Sequence, residues 1–246
     1  MFIDVHCHLD MVEKEGKSIK EIQSGSEVKK VKIVWAGVNP KVNRKILGEK
    51  DFKGEICLGL YPIDALSLSK KEIDEEIEFI RDNKDKIVGI GEVGIDHKED
   101  LKQHERQEET FRKMIKLAKE LDKVLVVHSR KAEEKCIEIL EEEKAEKVIM
   151  HVFSGKLKLV DRIVENGWSL SIPTNVKSSE HFQKVISMVP IEQLLCETDS
   201  PYMHPDKEFP NTPDKVIVSY EKIAEIKGLE LEEVESRIEK NWFNLS

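Results

Sequence analysis

The sequence contains no paired-cysteine motif, no excess of basic residues and no long apolar run. The cysteines lie singly in apolar segments: Cys7, Cys57, Cys136 and Cys196. This spacing argues against a zinc finger or a disulfide framework and is typical of free thiols in a reducing cytosol. The formal net charge of −9 lacks the basic footprint of a protein that coats nucleic acid. No stretch approaches the roughly 18 apolar residues of a membrane span, and no basic leader opens the chain. We therefore expect a cytoplasmic globular protein that neither spans nor binds a membrane. Nothing in the sequence indicates an obligate protein partner.

Short apolar segments alternate with longer charged ones along the chain. The apolar segments are mostly β-branched and lack polar alternation, as in parallel strands covered on both faces: 2–6, 31–38, 56–61, 88–95, 124–128, 148–152, 168–172 and 194–197. The charged segments with helical spacing of apolar residues are 70–84, 101–121, 131–142, 156–166, 212–227 and 230–245. About eight strand–helix units predict an α/β fold, a TIM-type (β/α)8 or slightly irregular barrel. We expect residues 1–246 to form one domain.

An open, doubly wound sheet is the alternative architecture. Such a sheet carries a glycine-rich phosphate-binding turn after its first strand. The corresponding segment here is His-Cys-His-Leu-Asp at 6–10, which has no glycine. The closed barrel is therefore favoured.

Metal-ligand-type residues recur where the predicted strands end: His6, His8, Glu92, His128, His151 and Asp199. They are too far apart in the chain to form a local finger. They can meet only if the strand ends share one face, as they do at the C-terminal mouth of a barrel, where active sites lie. The set predicts a metal site at this mouth and favours metal-assisted hydrolysis.

The individual signals differ in strength. His6 and His8 stand two apart on a strand, so their rings project to the same side and can bind one cation. Glu92 lies among glycines and aliphatic residues, where an uncompensated charge is costly; the alternative to a metal is an ion pair. A single histidine such as His128 or His151 is more often a core residue, but these two end consecutive strands.

Several ordered motifs span nearly the whole chain: DVHCHLD at 4–10, GEVGID at 91–96, Gln107 with Phe111, HSR at 128–130, HVFSG at 151–155, ETDSPY at 197–202, Asn211 with Pro213, and Asn241. With these motifs the chain resembles the TatD family of metal-dependent deoxyribonucleases, within the amidohydrolase-like barrel hydrolases. The resemblance implies hydrolysis of phosphodiester bonds in DNA, as a 3′-5′ exonuclease on single strands, by a water that two metals activate.

The same resemblance implies a set of ligands for two divalent cations, which could be zinc, manganese or magnesium. His6, His8 and Asp199 would hold one cation, and His128 and His151 would hold the other. Glu92 would bridge them. Asp199 and Glu92 would be the catalytic residues, with Asp199 orienting the nucleophile and taking its proton.

Five side chains near these motifs are candidate substrate contacts. Arg130 could bind phosphate through its guanidinium fork, or form an ion pair. Tyr202 and Phe153 could stack on a base, or pack beneath the mouth. Asp96 could contact substrate, support a ligand or cap the next helix. His204 follows the last strand closely.

One position departs from the family pattern. Gly59-Leu60-Tyr61-Pro62 stands where the family usually has Gly-Leu-His-Pro. Tyr61 leaves the six ligands untouched but changes the mouth beside them, which makes it another candidate substrate contact. It keeps open an ester or amide hydrolase with the same ligands, such as an aminoacyl-tRNA deacylase. A non-catalytic metal-binding barrel is the remaining alternative, although structural zinc sites are usually closed and sulfur-rich.

Overall fold

The computed structural model of the protein describes residues 1–99 and 102–246. Its strands are all parallel and hydrogen-bonded in chain order: β1 (Phe2–Cys7), β2 (Val31–Ala36), β3 (Glu55–Leu58), β4 (Gly89–Gly94), β5 (Val124–His128), β6 (Val148–Met150), β7 (Ser169–Pro173) and β8 (Leu194–Glu197). The first and last strands, β1 and β8, meet at their C-terminal ends. There Asp199 donates its backbone N–H to the His6 carbonyl at 3.0 Å. The predicted TIM-type barrel is confirmed.

Helices connect the strands and surround the barrel. In the described part of the chain they are α1 (Leu9–Lys14), α2 (Ile19–Val28), α3 (Pro40–Gly48), α4 (Pro62–Leu66), α5 (Lys70–Asp82), α6 (His104–Glu120), α7 (Glu133–Glu142), α8 (Val160–Glu165), α9 (Glu180–Met188), α10 (Ile217–Lys227) and α11 (Leu231–Leu245). Short 3₁₀ turns span Lys84–Lys86, Leu157–Leu159, Thr174–Lys177, Ile191–Gln193 and Pro213–Lys215. None of these helices is long and apolar enough to cross a membrane.

Local sequence explains where helices begin and which face they bury. Before α5, Ser69 accepts the backbone N–H of Glu72, and the Glu72 carboxylate accepts that of Ser69. This capping box satisfies N–H groups that a helix start leaves unpaired. Apolar side chains three and four residues apart then form one stripe against the barrel, and Ile73 and Ile80 in it are fully or nearly buried.

The structure also corrects several predicted bounds. The segment 212–227 is helical only from Ile217, because a 3₁₀ turn that starts at Pro213 occupies its first part. The segment 156–166 divides into a 3₁₀ turn and α8. The predicted helix 101–121 starts at His104, and its residue 101 lies outside the described residues. Helices α1, α2, α3, α4 and α9 lie outside the predicted helical segments; each has ten residues or fewer, which gives the helical period little length in which to repeat.

Helix α11 closes the N-terminal end of the barrel, opposite the mouth. Trp242 donates its indole N–H to Glu55 at the start of β3, at 2.7 Å. Asn241 donates to the carbonyls of Ile191 and Leu194, at 2.7 and 3.0 Å. These contacts confirm the expectation that residues 230–245 form a last helix against the bottom of the barrel.

Candidate metal centre

All six predicted ligands converge at the C-terminal mouth. His6 lies in β1, Glu92 in β4 and His128 at the end of β5, whereas His8, His151 and Asp199 follow β1, β6 and β8. Three overlapping triads have ligand atoms within 4.8 Å of one another: His6–His8–Glu92, Glu92–His128–His151 and His6–His151–Asp199. The fold therefore brings together residues that are as far as 193 positions apart in the sequence (6 to 199).

Glu92 lies at the centre of this group, and its two carboxylate oxygens face different histidines. Oε2 is 3.6 Å from His6 Nε2 and 3.2 Å from His8 Nε2. Oε1 is 2.8 Å from His128 Nδ1 and 3.7 Å from His151 Nε2. A carboxylate placed in this way has one oxygen for each of two neighbouring ligand groups.

The backbone of Glu92 is held by close packing against Gly59 and by a hydrogen bond to Gly37. Its N–H donates to the Gly37 carbonyl at 2.9 Å. A Cβ atom on Gly59 would lie 2.6 Å from the Glu92 carbonyl oxygen and 2.7 Å from its nitrogen. Real Cβ atoms essentially never come so close. Only glycine at 59 therefore lets the neighbouring strand approach Glu92 as it does.

Asp199 faces the same centre from the other edge of the mouth. Its Oδ1 is 3.5 Å from His8 Nε2, 3.7 Å from His6 Nε2 and 3.9 Å from His151 Nε2. Its backbone has a φ of +49°, a conformation that costs a residue other than glycine energy unless the surroundings enforce it. The buried Asp4 carboxylate supports this turn, since it accepts the backbone N–H and the hydroxyl of Thr198, at 2.8 and 2.6 Å.

The far nitrogens of three ligand rings have oxygen partners. His151 Nδ1 lies 2.7 Å from Glu197 Oε2, and His8 Nδ1 lies 3.3 Å from the Ala36 carbonyl. His128 is turned the other way, with Nε2 2.9 Å from Asp96 Oδ2. An oxygen at the far nitrogen holds the proton there and leaves the near nitrogen free to bind a cation.

The charges of the centre stabilise one another strongly. Burial alone would raise the pKa of Glu92, but hydrogen bonds from His128, His6 and His8 outweigh it and hold the pKa well below its ordinary value. Burial alone would lower the pKa of His151, but the charges of Glu197 and Asp199 raise it to about 9. Without a cation, His151 is therefore protonated at neutral pH, and a bound cation must replace that proton.

The donor set fits divalent cations. It consists of imidazole nitrogens and carboxylate oxygens, which suit zinc and manganese more readily than magnesium. Cys7, between the first two histidines, points away from the centre, and its Sγ lies 3.5 Å from the Val34 carbonyl. A cavity of about 580 Å³ opens onto the ligands, which is typical of a catalytic metal site with room for water and substrate.

The candidate substrate contacts separate into two groups. Arg130, Tyr202 and Tyr61 line the cavity. Arg130 also forms the alternative ion pairs, with Asp96 at 2.7 Å and with Glu99. Tyr202 is 51% exposed.

Three other candidates do not face the cavity. Phe153 is only 1% exposed and packs in the hydrophobic core, so the prediction that it stacks on a base is wrong and the packing alternative holds. His204 is buried, and its Nδ1 accepts the backbone N–H groups of Asp206 and Glu208 at 3.1 and 3.3 Å. Asp96 is fully buried with its Oδ2 beside His128 Nε2, which favours the alternative that it supports a ligand over the alternative that it contacts substrate.

Sequence reasoning missed some supporting residues. Glu197 is a buried carboxylate in an apolar strand, two residues before Asp199, and that position is the signal that could have identified it. Phe209 is 57% exposed, with its ring 6.3 Å from that of Tyr202. A single phenylalanine in a polar loop gives no comparable signal.

A nearly closed barrel of parallel strands with a histidine and carboxylate centre at its mouth defines the class of the protein, the metal-dependent barrel hydrolases. The sequence matches the family described as TatD related DNase over residues 3–245. The chain therefore belongs to the TatD family and is a hydrolase that acts on ester bonds, as predicted.

Relatives support this assignment along nearly the full chain. The chain is 34% identical to the uncharacterized metal-dependent hydrolase MJ1582 of Methanocaldococcus jannaschii, over 98% of this chain and 94% of the relative. It is 31% identical to the human deoxyribonuclease TATDN3, over 94% of this chain and 89% of the relative. The crystal structure of YjjV, a TatD homologue from Escherichia coli, superposes with a TM-score of 0.89 at 25% identity and covers 99% of this chain and 97% of that one.

Proposed function

We propose that this protein is a deoxyribonuclease that cleaves phosphodiester bonds from the 3′ end of single-stranded DNA with two divalent cations. The observation that carries the proposal is the division of the Glu92 carboxylate, with one oxygen towards His6 and His8 and the other towards His128 and His151. This arrangement suits a bridging ligand. Cations held there would supply Lewis-acid activation of the phosphodiester and of the attacking water.

Each ligand has a place in this proposal. His6, His8 and Asp199 would hold one cation, and His128 and His151 would hold the other, with Glu92 available to both. His151 lies between the two groups, 3.7 Å from Glu92 Oε1 and 3.9 Å from Asp199 Oδ1. Its assignment to the second group follows the family pattern, and its Nε2 faces Glu92 Oε1, the oxygen that also faces His128.

The other roles follow from where the side chains lie. Asp199 is a carboxylate at the cavity wall. Burial would raise its pKa, but His151, His8 and His6 lower it below the ordinary value. It is therefore ionised at neutral pH, and its carboxylate is the acceptor for the proton of the attacking water. Glu197 holds the far nitrogen of His151 so that the ring keeps its orientation during the reaction.

The cavity favours one nucleotide unit at a time. Its volume of about 580 Å³ lies within the range of roughly 300–1,000 Å³ for small-molecule sites. Arg130 is the one lysine or arginine among its lining residues in the described chain, and it binds a phosphate oxygen of the substrate. Tyr202, with Phe209 beside it, offers an exposed aromatic surface for a base of a single strand.

The cellular setting is also part of the proposal. The four cysteines are all buried and unpaired, which supports a reducing compartment such as the cytoplasm. We further propose that the chain acts as one domain and needs no obligate protein partner.

The substrate proposal is tested by offering purified protein, with Mn²⁺, linear single-stranded DNA, the same sequence as a closed circle, and an aminoacyl ester. We expect cleavage of the linear strand alone, because an end-directed enzyme needs a 3′ terminus. Cleavage of the circle would contradict the exonuclease mode. Hydrolysis of the ester with both DNAs intact would contradict the nuclease proposal and favour the deacylase alternative, for which Tyr61 is the first residue to change.

A further inference from the structure

Tyr61 lies in the cavity wall beside His128. We propose that Tyr61 is a positioning residue for the cation held between Glu92, His128 and His151. It holds Asp96, and through Asp96 the His128 ring, in the orientation that turns Nδ1 towards Glu92. This inference rests on the two-cation centre proposed above.

The orientation of His128 differs from that of the other ligand histidines. It presents Nδ1 to Glu92, whereas His6, His8 and His151 present Nε2. A neutral ring that binds a cation through Nδ1 must carry its proton on Nε2. The side chain of His128 is also 12% exposed, against 4% or less for the other three rings. The partners of its two nitrogens, Glu92 at Nδ1 and Asp96 at Nε2, define its orientation.

Asp96 is the neighbour that accepts the hydrogen bond from this Nε2–H group. The residue is fully buried, and its Oδ1 accepts two backbone N–H groups of the following loop, at 2.8 and 3.0 Å. Its Oδ2 lies 2.9 Å from His128 Nε2 and also accepts Arg130 Nε at 2.8 Å and the Tyr61 hydroxyl at 3.0 Å. The oxygen that orients His128 is thus itself held by one cationic and one neutral donor.

Substrate affects these two donors differently. The Arg130 side chain is 34% exposed, and a phosphate in the cavity would compete with Asp96 for its guanidinium group. Tyr61 is a neutral phenol whose backbone N–H is bonded to the Val38 carbonyl at 2.8 Å. Its ring meets the His128 ring edge-on, with centroids 4.9 Å apart. Tyr61 therefore keeps Asp96 and His128 aligned when Arg130 turns to the substrate.

The test compares Mn²⁺ binding by the full-length wild-type protein and its variants, measured as free Mn²⁺ by electron paramagnetic resonance during titration. Tyr61→Phe removes the hydroxyl and keeps the ring. Tyr202→Phe is the matched control, because this tyrosine lines the same cavity but is largely exposed. We expect two Mn²⁺ ions per wild-type chain. In Tyr61→Phe one of the two should bind about 10- to 100-fold more weakly, and in Tyr202→Phe both should bind as in the wild type.

A second variant, Tyr61→His, restores a ring with an N–H donor and should recover most of the lost affinity. Thermal unfolding of each variant shows that the barrel is intact. Unchanged binding in Tyr61→Phe, equal weakening of both ions, or no recovery in Tyr61→His would overturn the positioning role while the two-cation centre stands. A wild-type chain that binds fewer than two Mn²⁺ ions would overturn the two-cation centre and this inference with it.

Discussion

Gly59→Ala tests whether the position of the Glu92 backbone decides the properties of the metal centre. The added Cβ would lie 2.5 Å from the Gly91 carbonyl carbon and 2.6 Å from the Glu92 carbonyl oxygen. Ordinary contact begins at 3.4 Å, so relief of the 2.5 Å contact requires the two strands to separate by about 0.9 Å. The obstructing atoms are backbone, which cannot rotate aside as a flexible side chain can.

Two effects of this substitution follow from that displacement. Overpacking of a well-filled interior costs about 1–3 kcal/mol of unfolding free energy. A displacement approaching 1 Å in a catalytic centre can lower the rate about 100-fold. We therefore expect Gly59→Ala to fold with reduced stability, to bind cations more weakly and to lose turnover by about two orders of magnitude.

The assay pairs urea unfolding with hydrolysis of bis(p-nitrophenyl) phosphate and a cation titration. Gly48→Ala is the matched control: this glycine lies in α3, and a Cβ there meets no atom within 4 Å. That variant should keep wild-type activity and should not lose stability, because Gly48 ends α3 and the added methyl group meets no other atom. Wild-type turnover and cation binding in Gly59→Ala would refute the reasoning, because they would show that Glu92 tolerates the displacement.

Three further predictions concern the ligands themselves. Glu92→Ala should lose most activity and cation binding while the circular dichroism spectrum stays that of a folded barrel; normal turnover would remove the bridging role. Asp199→Asn should lower kcat more than cation affinity, and if both fall in parallel, the proton-accepting role is unsupported. Cation affinity should rise with pH, because the pKa of His151 is raised to about 9 and the ring must lose its proton to bind a cation. Below that pKa the proton competes with the cation for the ring nitrogen, and above it this competition ends. The pKa values of His8 and His128 are raised as well, so a chelator-competition series should show an increase of about tenfold per pH unit for each proton displaced. An affinity independent of pH below 9 would contradict this prediction.

Much of the architecture could be predicted from sequence because its signals are local. Buried parallel strands are short apolar segments, and the six ligands stand where those segments end, so the barrel and the place of the centre follow from strand direction alone. The division of the Glu92 oxygens could not be predicted in the same way. It depends on how closely β4 approaches the end of β3 at Gly59. A contact between two separate strands leaves no local signal in the sequence.

Phe153 shows why other predictions failed. It stands two residues after His151, and in a continuing strand both side chains would face the same side. The backbone of Val152 instead has a φ of +40°, which is rare for a β-branched residue, and the turn carries Phe153 into the core. The Tyr61–Asp96–His128 contacts are equally non-local, since residues 61, 96 and 128 come from three different strand ends.

The most direct test of the central claim uses a 5′-labelled single-stranded DNA oligomer with purified protein and Mn²⁺ or Mg²⁺. EDTA treatment and the Glu92→Ala variant are the controls. The two-cation nuclease centre predicts a metal-dependent ladder that shortens from the 3′ end and is absent in both controls. An intact oligomer in the presence of protein-bound cation would contradict that account, and so would an unchanged ladder in Glu92→Ala.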